Sequence, residues 1–294
     1  MLAGFLAGRF KLLLANSSEI LSRFVFIVSL PALIFVSLAR VPVSEFFNWP
    51  FLGALGGGML ITFCLALIIA RFAFPDSLTA HGLHALTAMF SSTGYVGLPV
   101  LLLIYGDAAL VPGLIGAVIT GAFFLPLSII LAEVDRNKKA GHLFSAPFKA
   151  VLRNPLLIAT AAGLIFSALN LELPLASVTF FTLLGDAYIP CALFAAGLFI
   201  SGCSIKGEVK EISWLVFVKL LIHPLITWWL AYQVFDLKGI LPAIAVIQAA
   251  LPSGVPVFVL AQQYNCFVTR SSSVIVISTA ISLFSLSALL IYLA

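Results

Sequence analysis

The fold of this chain is decided by the stretch Ser91-Ser92-Thr93-Gly94-Tyr95-Val96-Gly97-Leu98-Pro99, which interrupts an apolar run long enough to span a bilayer. Glycine loosens helical backbone, and proline removes a backbone donor and clashes with the preceding turn. A second interrupted run reads Gln248-Ala249-Ala250-Leu251-Pro252-Ser253-Gly254-Val255-Pro256. The two runs share the pattern Gly-x-Pro-Val, with Pro99 and Pro256 placed 157 residues apart. The sequence therefore predicts two broken helices at corresponding places in the chain.

The composition is that of an integral membrane protein. Hydrophobic residues make up 62% of the chain and charged residues 9%, whereas soluble domains have about 45–50% and about 25%. The net charge of +4 comes from basic residues scattered singly between apolar runs. We interpret them as topology signals rather than as a nucleic-acid-binding patch.

Ten apolar segments are candidates for membrane-spanning helices. The first is short for a span, so we expect either a partial span or a truncated start. Their predicted limits are 1–14, 19–39, 50–72, 82–106, 110–133, 151–169, 178–202, 211–233, 240–264 and 270–293.

A second pair of prolines supports an internal repeat. Pro31 in helix 2 and Pro190 in helix 7 are 159 residues apart, close to the offset between Pro99 in helix 4 and Pro256 in helix 9. A repeat of five helices, an odd number, enters the membrane from the opposite side the second time. We therefore predict an all-α protein of ten transmembrane helices, a 5+5 inverted repeat with broken, crossing helices 4 and 9. The repeats are 1–133 and 151–294, joined by a linker at 134–150.

The basic residues predict the orientation, because cytoplasmic links are enriched in lysine and arginine. With both termini outside, 13 of the 15 basic residues fall at the cytoplasmic side, and only Arg40 and Lys238 do not. This placement puts the 134–150 linker in the cytoplasm and predicts a multi-pass protein of the cell membrane.

The broken helices predict a binding site. Two half-helix N-termini meeting at mid-membrane would supply N–H donors and partial positive charge to an anion such as a carboxylate. The alternative is that glycine and proline only kink the two helices. The residues predicted to bind the substrate are Ser91, Ser92, Thr93, Gly94, Tyr95, Gln248, Ser253 and Gly254. Those predicted to form the breaks are Gly97, Pro99, Pro252, Val255 and Pro256.

Few charged or titratable residues fall within the spans. Asp186 is predicted at the start of helix 7, as a helix cap or as a coupling residue. Lys219 is expected to extend to the cytoplasmic face. His223 is predicted to pack or hydrogen-bond, with a proton relay as the alternative.

No catalytic or cofactor motif is recognisable. The chain has no Gly-x-Ser-x-Gly, P-loop or His-Glu-x-x-His pattern, so we predict a protein that is not an enzyme and has no cofactor or metal. Any energy for pumping would come from a gradient or another subunit.

The two broken segments resemble motifs of the auxin efflux carrier family, which includes plant auxin carriers and bacterial malate and malonate permeases. Ser92–Pro99 is similar to the family motif Asn-Thr-Gly-x-x-Gly-Ile-Pro, with serine in the place of asparagine, and Gln248–Ala261 is similar to the helix 9 motif. Shorter matches are Arg153-Asn154-Pro155, Gly185-Asp186-Ala187, Ser22-Arg23-Phe24-Val25 and Leu30-Pro31.

This resemblance implies a scaffold of helices 1, 2, 6 and 7, a transport domain of helices 3–5 and 8–10, a homodimer and elevator-type alternating access. We expect a secondary active or facilitative transporter of small organic anions, with the bilayer and the anion as its partners and no nucleic acid. One alternative is a proton- or sodium-coupled carboxylate symporter using Asp186 or His223. Another is a membrane ligand sensor that has the carrier fold but no turnover.

Overall fold

The computed structural model describes residues 1–14, 16–136, 154–203 and 208–293, and this part of the chain is helical. An interrupted helix keeps one number, with halves a and b. The helices are α1 (Leu2–Arg9), α2 (Ser17–Leu38), α3 (Trp49–Ala73), α4a (Leu78–Met89), α4b (Leu98–Tyr105), α5 (Leu110–Ile119, Thr120–Phe124 and Leu125–Arg136 in succession), α6 (Pro155–Ala168), α7 (Leu175–Gly202), α8 (Val209–Val234), α9a (Leu241–Ala250), α9b (Val255–Gln263) and α10 (Val268–Leu293).

Six segments of the described residues are long and apolar enough to cross a bilayer, and two further apolar helices, α6 and α9a, are shorter. The all-helical membrane class predicted from the sequence is confirmed at this level. The ten-span inverted repeat stays a prediction. The six segments are Ser17–Leu38, Val43–Ala73, Thr93–Ile119, Leu175–Gly202, Val209–Val234 and Val268–Tyr292.

Prolines widen the helices at four places in the described residues. A proline lacks the N–H for the i→i−4 bond, and its ring clashes with the carbonyl four residues earlier, so a wider π-helical turn relieves the conflict. Each such turn ends two residues before the proline. The pairs are Val25–Ser29 with Pro31, Thr93–Gly97 with Pro99, Thr120–Phe124 with Pro126, and Val218–Ile222 with Pro224.

The chain divides into two compact units. Unit 1 comprises Met1–Asn48, Gly94–Val118 and Val151–Cys203, and unit 2 comprises Trp49–Thr93, Ile119–Ala150 and Ser204–Ala294. Unit 1 therefore contains α1, α2, α6 and α7, and unit 2 contains α3, α4a, α8, both halves of α9, and α10. The start of α5 and α4b belong to unit 1, and the rest of α5 belongs to unit 2.

Close helix contacts in unit 1 depend on glycines. A Cβ added at Gly163 of α6 would lie 2.9 Å from the Leu38 Cβ of α2. Where α1 packs on α7, a Cβ at Gly197 would overlap the Met1 carbonyl, and one at Gly4 would overlap the Phe194 carbonyl. Small residues allow backbones to approach in this way, which is how membrane helices gain packing energy without a hydrophobic effect between them.

In unit 2, α3 packs against α8 and α5. A Cβ at Gly58 of α3 would overlap the Thr227 hydroxyl of α8, and the Phe63 and Phe124 rings lie 5.8 Å apart between α3 and α5. These contacts hold α8 beside the remaining helices of the unit, including the segments that carry the helix breaks.

Two sequence predictions concerning this architecture need comment. Asp186 was predicted at the start of helix 7, but α7 begins at Leu175 and Asp186 lies in its middle. The helical stretches Leu175–Asp186 and Tyr188–Gly202 meet at Ala187, whose near-helical backbone angles let them continue as one span, so Asp186 does not begin that span. The predicted linker 134–150 lies largely outside the described residues, although α5 extends to Arg136.

Candidate functional site

The breaks in α4 and α9 lie against each other within unit 2. The backbone becomes extended at Phe90 after α4a and at Leu251 after α9a. The Ser92 N–H donates to the Pro252 carbonyl at 2.9 Å, and the Gly254 N–H donates to the Phe90 carbonyl at 3.1 Å. These bonds supply partners for backbone groups that hydrocarbon could not satisfy, which is the condition for unwound chain at membrane depth.

Glycine at position 254 is required by this close approach. A Cβ there would lie 2.7 Å from the Phe90 ring and 3.4 Å from the Ser91 carbonyl oxygen. Pro252 lies in the unwound segment, whereas Val255 and Pro256 are the first two residues of α9b. Proline suits the first turn of a helix because the N–H it lacks would have no partner there. The break thus follows from local chemistry on both sides.

Hydroxyl groups of the paired segments are buried and bound to backbone. The Ser253 hydroxyl donates to the Thr87 carbonyl at 3.1 Å, and the Ser253 N–H donates to the Ser278 hydroxyl of α10 at 3.1 Å. The Thr93 hydroxyl donates to the Ser91 carbonyl at 3.2 Å. The structure therefore gathers six of the predicted substrate-binding residues in or beside the breaks of unit 2, all of them buried: Ser91, Ser92, Thr93, Gln248, Ser253 and Gly254.

The amine of Lys219 lies at these breaks, where the sequence did not place it. Lys219 is fully buried, and its Nζ lies 2.7 Å from the Ser91 hydroxyl, 2.8 Å from the Ala249 carbonyl oxygen and 3.0 Å from His223 Nδ1. The Met89 carbonyl oxygen is 3.5 Å away. The expectation that Lys219 reaches the cytoplasmic face was wrong, because packing turns this face of α8 toward α4a and α9a.

The sequence did contain a signal for this residue. An ionisable side chain inside an apolar span faces the protein interior or a wet cavity by default, and Pro224 predicts a distorted turn just before it. That turn is Val218–Ile222, and it includes Lys219. Which neighbours the amine meets depends on the packing of α8 and could not be inferred from local sequence.

The remaining predicted residues belong to unit 1. The Tyr95 hydroxyl donates to the Ser22 carbonyl at 3.4 Å, and a Cβ at Gly94 would lie 3.7 Å from the Tyr188 hydroxyl. Gly97 ends the π-helical turn, and Pro99 is the second residue of α4b. Asp186 is exposed in the middle of α7. His223, the other candidate for coupling, is fully buried in unit 2 beside Lys219.

A second charged cluster in unit 2 joins α4a and the link before it to the starts of α8 and α10. His84 Nδ1 lies 2.7 Å from Glu211 Oε1, and both side chains are buried. Arg270 donates to Glu211 at 3.0 Å and to Asp76 at 2.9 Å. Burial raises the pKa of Asp76, but hydrogen bonds from the Ser77 N–H and from Arg270 outweigh it and leave this pKa below the ordinary value. The sequence did not predict that His84 has a carboxylate partner.

The same end of unit 2 holds the end of α5 and the link after α9b. Asp135 accepts bonds from the N–H and the hydroxyl of Thr79, and Glu133 accepts from the Tyr264 hydroxyl at 3.0 Å. Four chain segments near the links after α3, α5, α7 and α9 are thus joined at one end of the unit.

A separate cavity of about 500 Å³ lies in unit 1. It contains none of the predicted site residues. Its lining is mainly apolar and consists of Leu13, Ser17, Ile20, Leu21, Pro190, Cys191, Phe194 and Leu198.

Helices interrupted at mid-length, paired through their unwound backbone and surrounded by buried polar groups, are typical of secondary transporters. The chain matches the membrane transport protein family over residues 1–142 and 142–290. It therefore belongs to this auxin efflux carrier-like family of membrane transporters, and the resemblance noted from the sequence is confirmed.

Two of the relatives below match most of the chain, and the third matches about half of it. A Rhizobium meliloti (strain 1021) protein named "Putative malonate transporter" is 29% identical over 276 residues, 92% of this chain and 85% of its own length. The lysosomal cholesterol signaling protein of Mus musculus is 26% identical over 96% of this chain and 35% of its own length. Auxin efflux carrier component 1 of Arabidopsis thaliana is 28% identical over 46% of this chain and 23% of its own length.

Proposed function

We propose that this protein carries small organic anions, carboxylates such as malonate, across the cell membrane. The observation that carries the proposal is the pairing of the two unwound segments, which gathers buried donor groups at one place in unit 2. The relative named as a malonate transporter supports a dicarboxylate as the first substrate to test.

The charge of this place favours an anion over a cation. Within hydrogen-bonding distance of Lys219 the described residues offer hydroxyl, carbonyl and imidazole groups and no carboxylate. Because Lys219 already places an amine at the breaks, a second, mobile cation is disfavoured there, whereas a substrate carboxylate is not. The unit 2 residues proposed to line the site are Ser91, Ser92, Thr93, Gln248, Ser253 and Gly254. The sequence pattern alone adds Gly94 and Tyr95 to this proposal.

For the mechanism we propose elevator-type alternating access in a homodimer. The helices α1, α2, α6 and α7 would form the scaffold, and α3–α5 with α8–α10 would move, carrying the helix breaks. The separation of α1, α2, α6 and α7 from α3, α8, α9 and α10 into two compact units supports this division, whereas α4b and the start of α5 belong to unit 1. Both termini are proposed to lie outside, and no cofactor is required.

The test is uptake of radiolabelled malonate by liposomes containing the purified protein. Gln248→Ala and Ser92→Ala are each expected to lower uptake at limiting malonate by about tenfold, the effect of losing about 1.4 kcal/mol of binding. Ser287→Ala changes an exposed serine of α10 and serves as the control, with uptake unchanged. Normal uptake by Gln248→Ala and Ser92→Ala would contradict the proposed site, and absence of uptake by the wild-type protein for every carboxylate tried would contradict the function.

The same uptake assay tests two alternative functions. Proton or sodium coupling through Asp186 or His223 predicts uptake that depends on the gradient of that ion and falls in Asp186→Asn or His223→Gln. A ligand sensor without turnover is favoured by the relative named as a cholesterol signaling protein. Saturable binding of a ligand without uptake in liposomes would support the sensor over the carrier.

A further inference from the structure

In the described part of the chain, the amine of Lys219 is surrounded by neutral groups. Among the described residues no acid forms an ion pair with it, and its partners are the Ser91 hydroxyl, the Ala249 and Met89 carbonyls and His223. A buried charge without compensation is strongly unfavourable, so its neighbours must supply negative potential.

The ends of two half-helices supply that potential. Met89 is the last residue of α4a and Ala249 is the second to last of α9a, so both carbonyls belong to helix C-termini that face the amine. Each C-terminus carries roughly half a negative charge, and two together approximate one unit. The two helix ends therefore balance the charge of the lysine, as a carboxylate would in an ordinary ion pair.

The hydrogen bonds are also complete for an ammonium ion. Its three protons match the three close acceptors, namely the Ser91 hydroxyl, the Ala249 carbonyl and His223 Nδ1. His223 can accept at Nδ1 only when it is neutral and carries its proton on Nε2. A protonated lysine beside a neutral imidazole gives this pair a single positive charge, on the amine of Lys219.

We propose that the Lys219 ammonium is a tethered cation that fills a monovalent-cation site formed by the two half-helix ends. In secondary transporters, unwound carbonyls and half-helix C-termini bind a free sodium ion or proton, and here a covalently attached amine lies among the same kinds of group. The native protein accordingly binds no sodium at the breaks, and removal of the side chain creates a sodium site. This inference goes beyond the proposed function, because sodium binding is measured without any transported substrate.

The experiment compares thermal unfolding of purified full-length protein in sodium chloride and in choline chloride at equal ionic strength. The variants are Lys219→Ala, which vacates the site, and Lys219→Met, which fills it without charge. Lys210→Ala is the matched control, since Lys210 is an exposed lysine in the first turn of the same helix.

The expected result is sodium-specific stabilisation of Lys219→Ala alone. Its unfolding midpoint should be low in choline and rise saturably by several degrees with sodium, as linkage requires for a ligand that binds only the folded state. For the wild type, for Lys210→Ala and for Lys219→Met, the unfolding midpoint of each protein should be the same in sodium chloride as in choline chloride.

Three results would overturn the proposal. One is a folded, monodisperse Lys219→Ala protein that does not respond to sodium. Another is sodium-specific stabilisation of the wild type or of Lys219→Met, which would place the ion elsewhere. The last is a Lys219→Ala protein that cannot be recovered folded in either salt, because sodium bound at the same carbonyls would have restored the fold.

Discussion

Unit 2 contains two charged clusters, one fully buried and one partly exposed, that balance their charges differently. At the helix breaks, Lys219 is surrounded by carbonyls, a hydroxyl and an imidazole. At the starts of α4a, α8 and α10, Arg270 bonds two carboxylates, and one of them, Glu211, also lies 2.7 Å from His84. One cation is balanced by helix dipoles and the other by formal negative charges.

The difference shows what each cluster depends on. The Arg270 cluster depends on ion pairs between side chains, so a single substitution can remove each pair. Part of this cluster is open to solvent, since Arg270 is 29% exposed and Asp76 is 31% exposed. The Lys219 cluster depends on backbone geometry, since its carbonyls face the amine only while both helices are interrupted. Substitutions should therefore have larger effects at the breaks than at the solvent-exposed side of the other cluster.

The largest effect is expected for Lys219→Met. This change leaves the Ala249 carbonyl, the Ser91 hydroxyl and His223 without their shared donor, and removal of one member of a buried charged group typically costs about 3–5 kcal/mol. The measurement is the free energy of unfolding in detergent micelles, with Lys210→Met as the exposed control. A Lys219→Met protein as stable as the wild type would show that helix dipoles do not need this charge.

The next largest effect is expected for Glu211→Gln. Glutamine keeps the shape but removes the buried charge that faces both Arg270 and His84, and we expect a loss of about 3 kcal/mol from two charge-assisted contacts. The same unfolding measurement applies. Glu208→Gln, at an exposed acid one turn earlier, should change stability by less than about 0.5 kcal/mol, and an equal loss in both variants would contradict the role assigned to Glu211.

A smaller effect is expected for Ser91→Ala, which removes one of the three close acceptors of Lys219. A hydrogen bond to a charged group contributes about 1.5–3 kcal/mol, and the Met89 carbonyl at 3.5 Å can approach and replace part of it. We therefore expect about 1.5 kcal/mol of lost unfolding free energy. Ser287→Ala is the control. A loss in Ser91→Ala as large as that in Lys219→Met would mean that the hydroxyl, rather than the helix ends, balances the amine.

The smallest effect is expected for Asp76→Asn, because a partly exposed ion pair contributes less than about 1 kcal/mol. The pKa of Asp76 in the folded protein is below its ordinary value. Its contribution to the free energy of unfolding is therefore complete at any pH above the ordinary pKa, which applies to the unfolded chain. It is lost as the pH falls through the lowered native pKa. The unfolding midpoints of the wild type and Asp76→Asn should therefore differ at neutral pH and converge in acid. A difference that grows in acid would contradict this assignment.

Local chemistry made several features of the fold predictable. Pro99 and Pro224 each follow a widened turn because a proline cannot donate the usual helical bond, and this holds whatever surrounds it. Gly254 could be recognised as part of a break because glycine loosens helical backbone. The candidate binding residues near the breaks were accessible to sequence reasoning because they are neighbours of these prolines and glycines in the chain.

Long-range contacts were not predictable in this way. Asp186 was misplaced because a glycine and an acid were interpreted as a helix start, whereas Gly185 packs close to the Leu33 backbone of α2 and the helix continues past it. The partnership of His84 with Glu211 joins residues 127 positions apart. No local pattern indicates such a pair.

The amino-acid sequence by itself determined that this is a helical membrane protein of a transporter family and where two of its helices are interrupted. Hydropathy, glycine and proline act through the residue itself and its nearest turn. Only the tertiary structure decided that the Lys219 amine lies at the interruptions rather than in water. A long, flexible lysine side chain can extend toward water or toward the protein interior. The packing of α8 decides between the two, because it places the C-termini of α4a and α9a beside the amine.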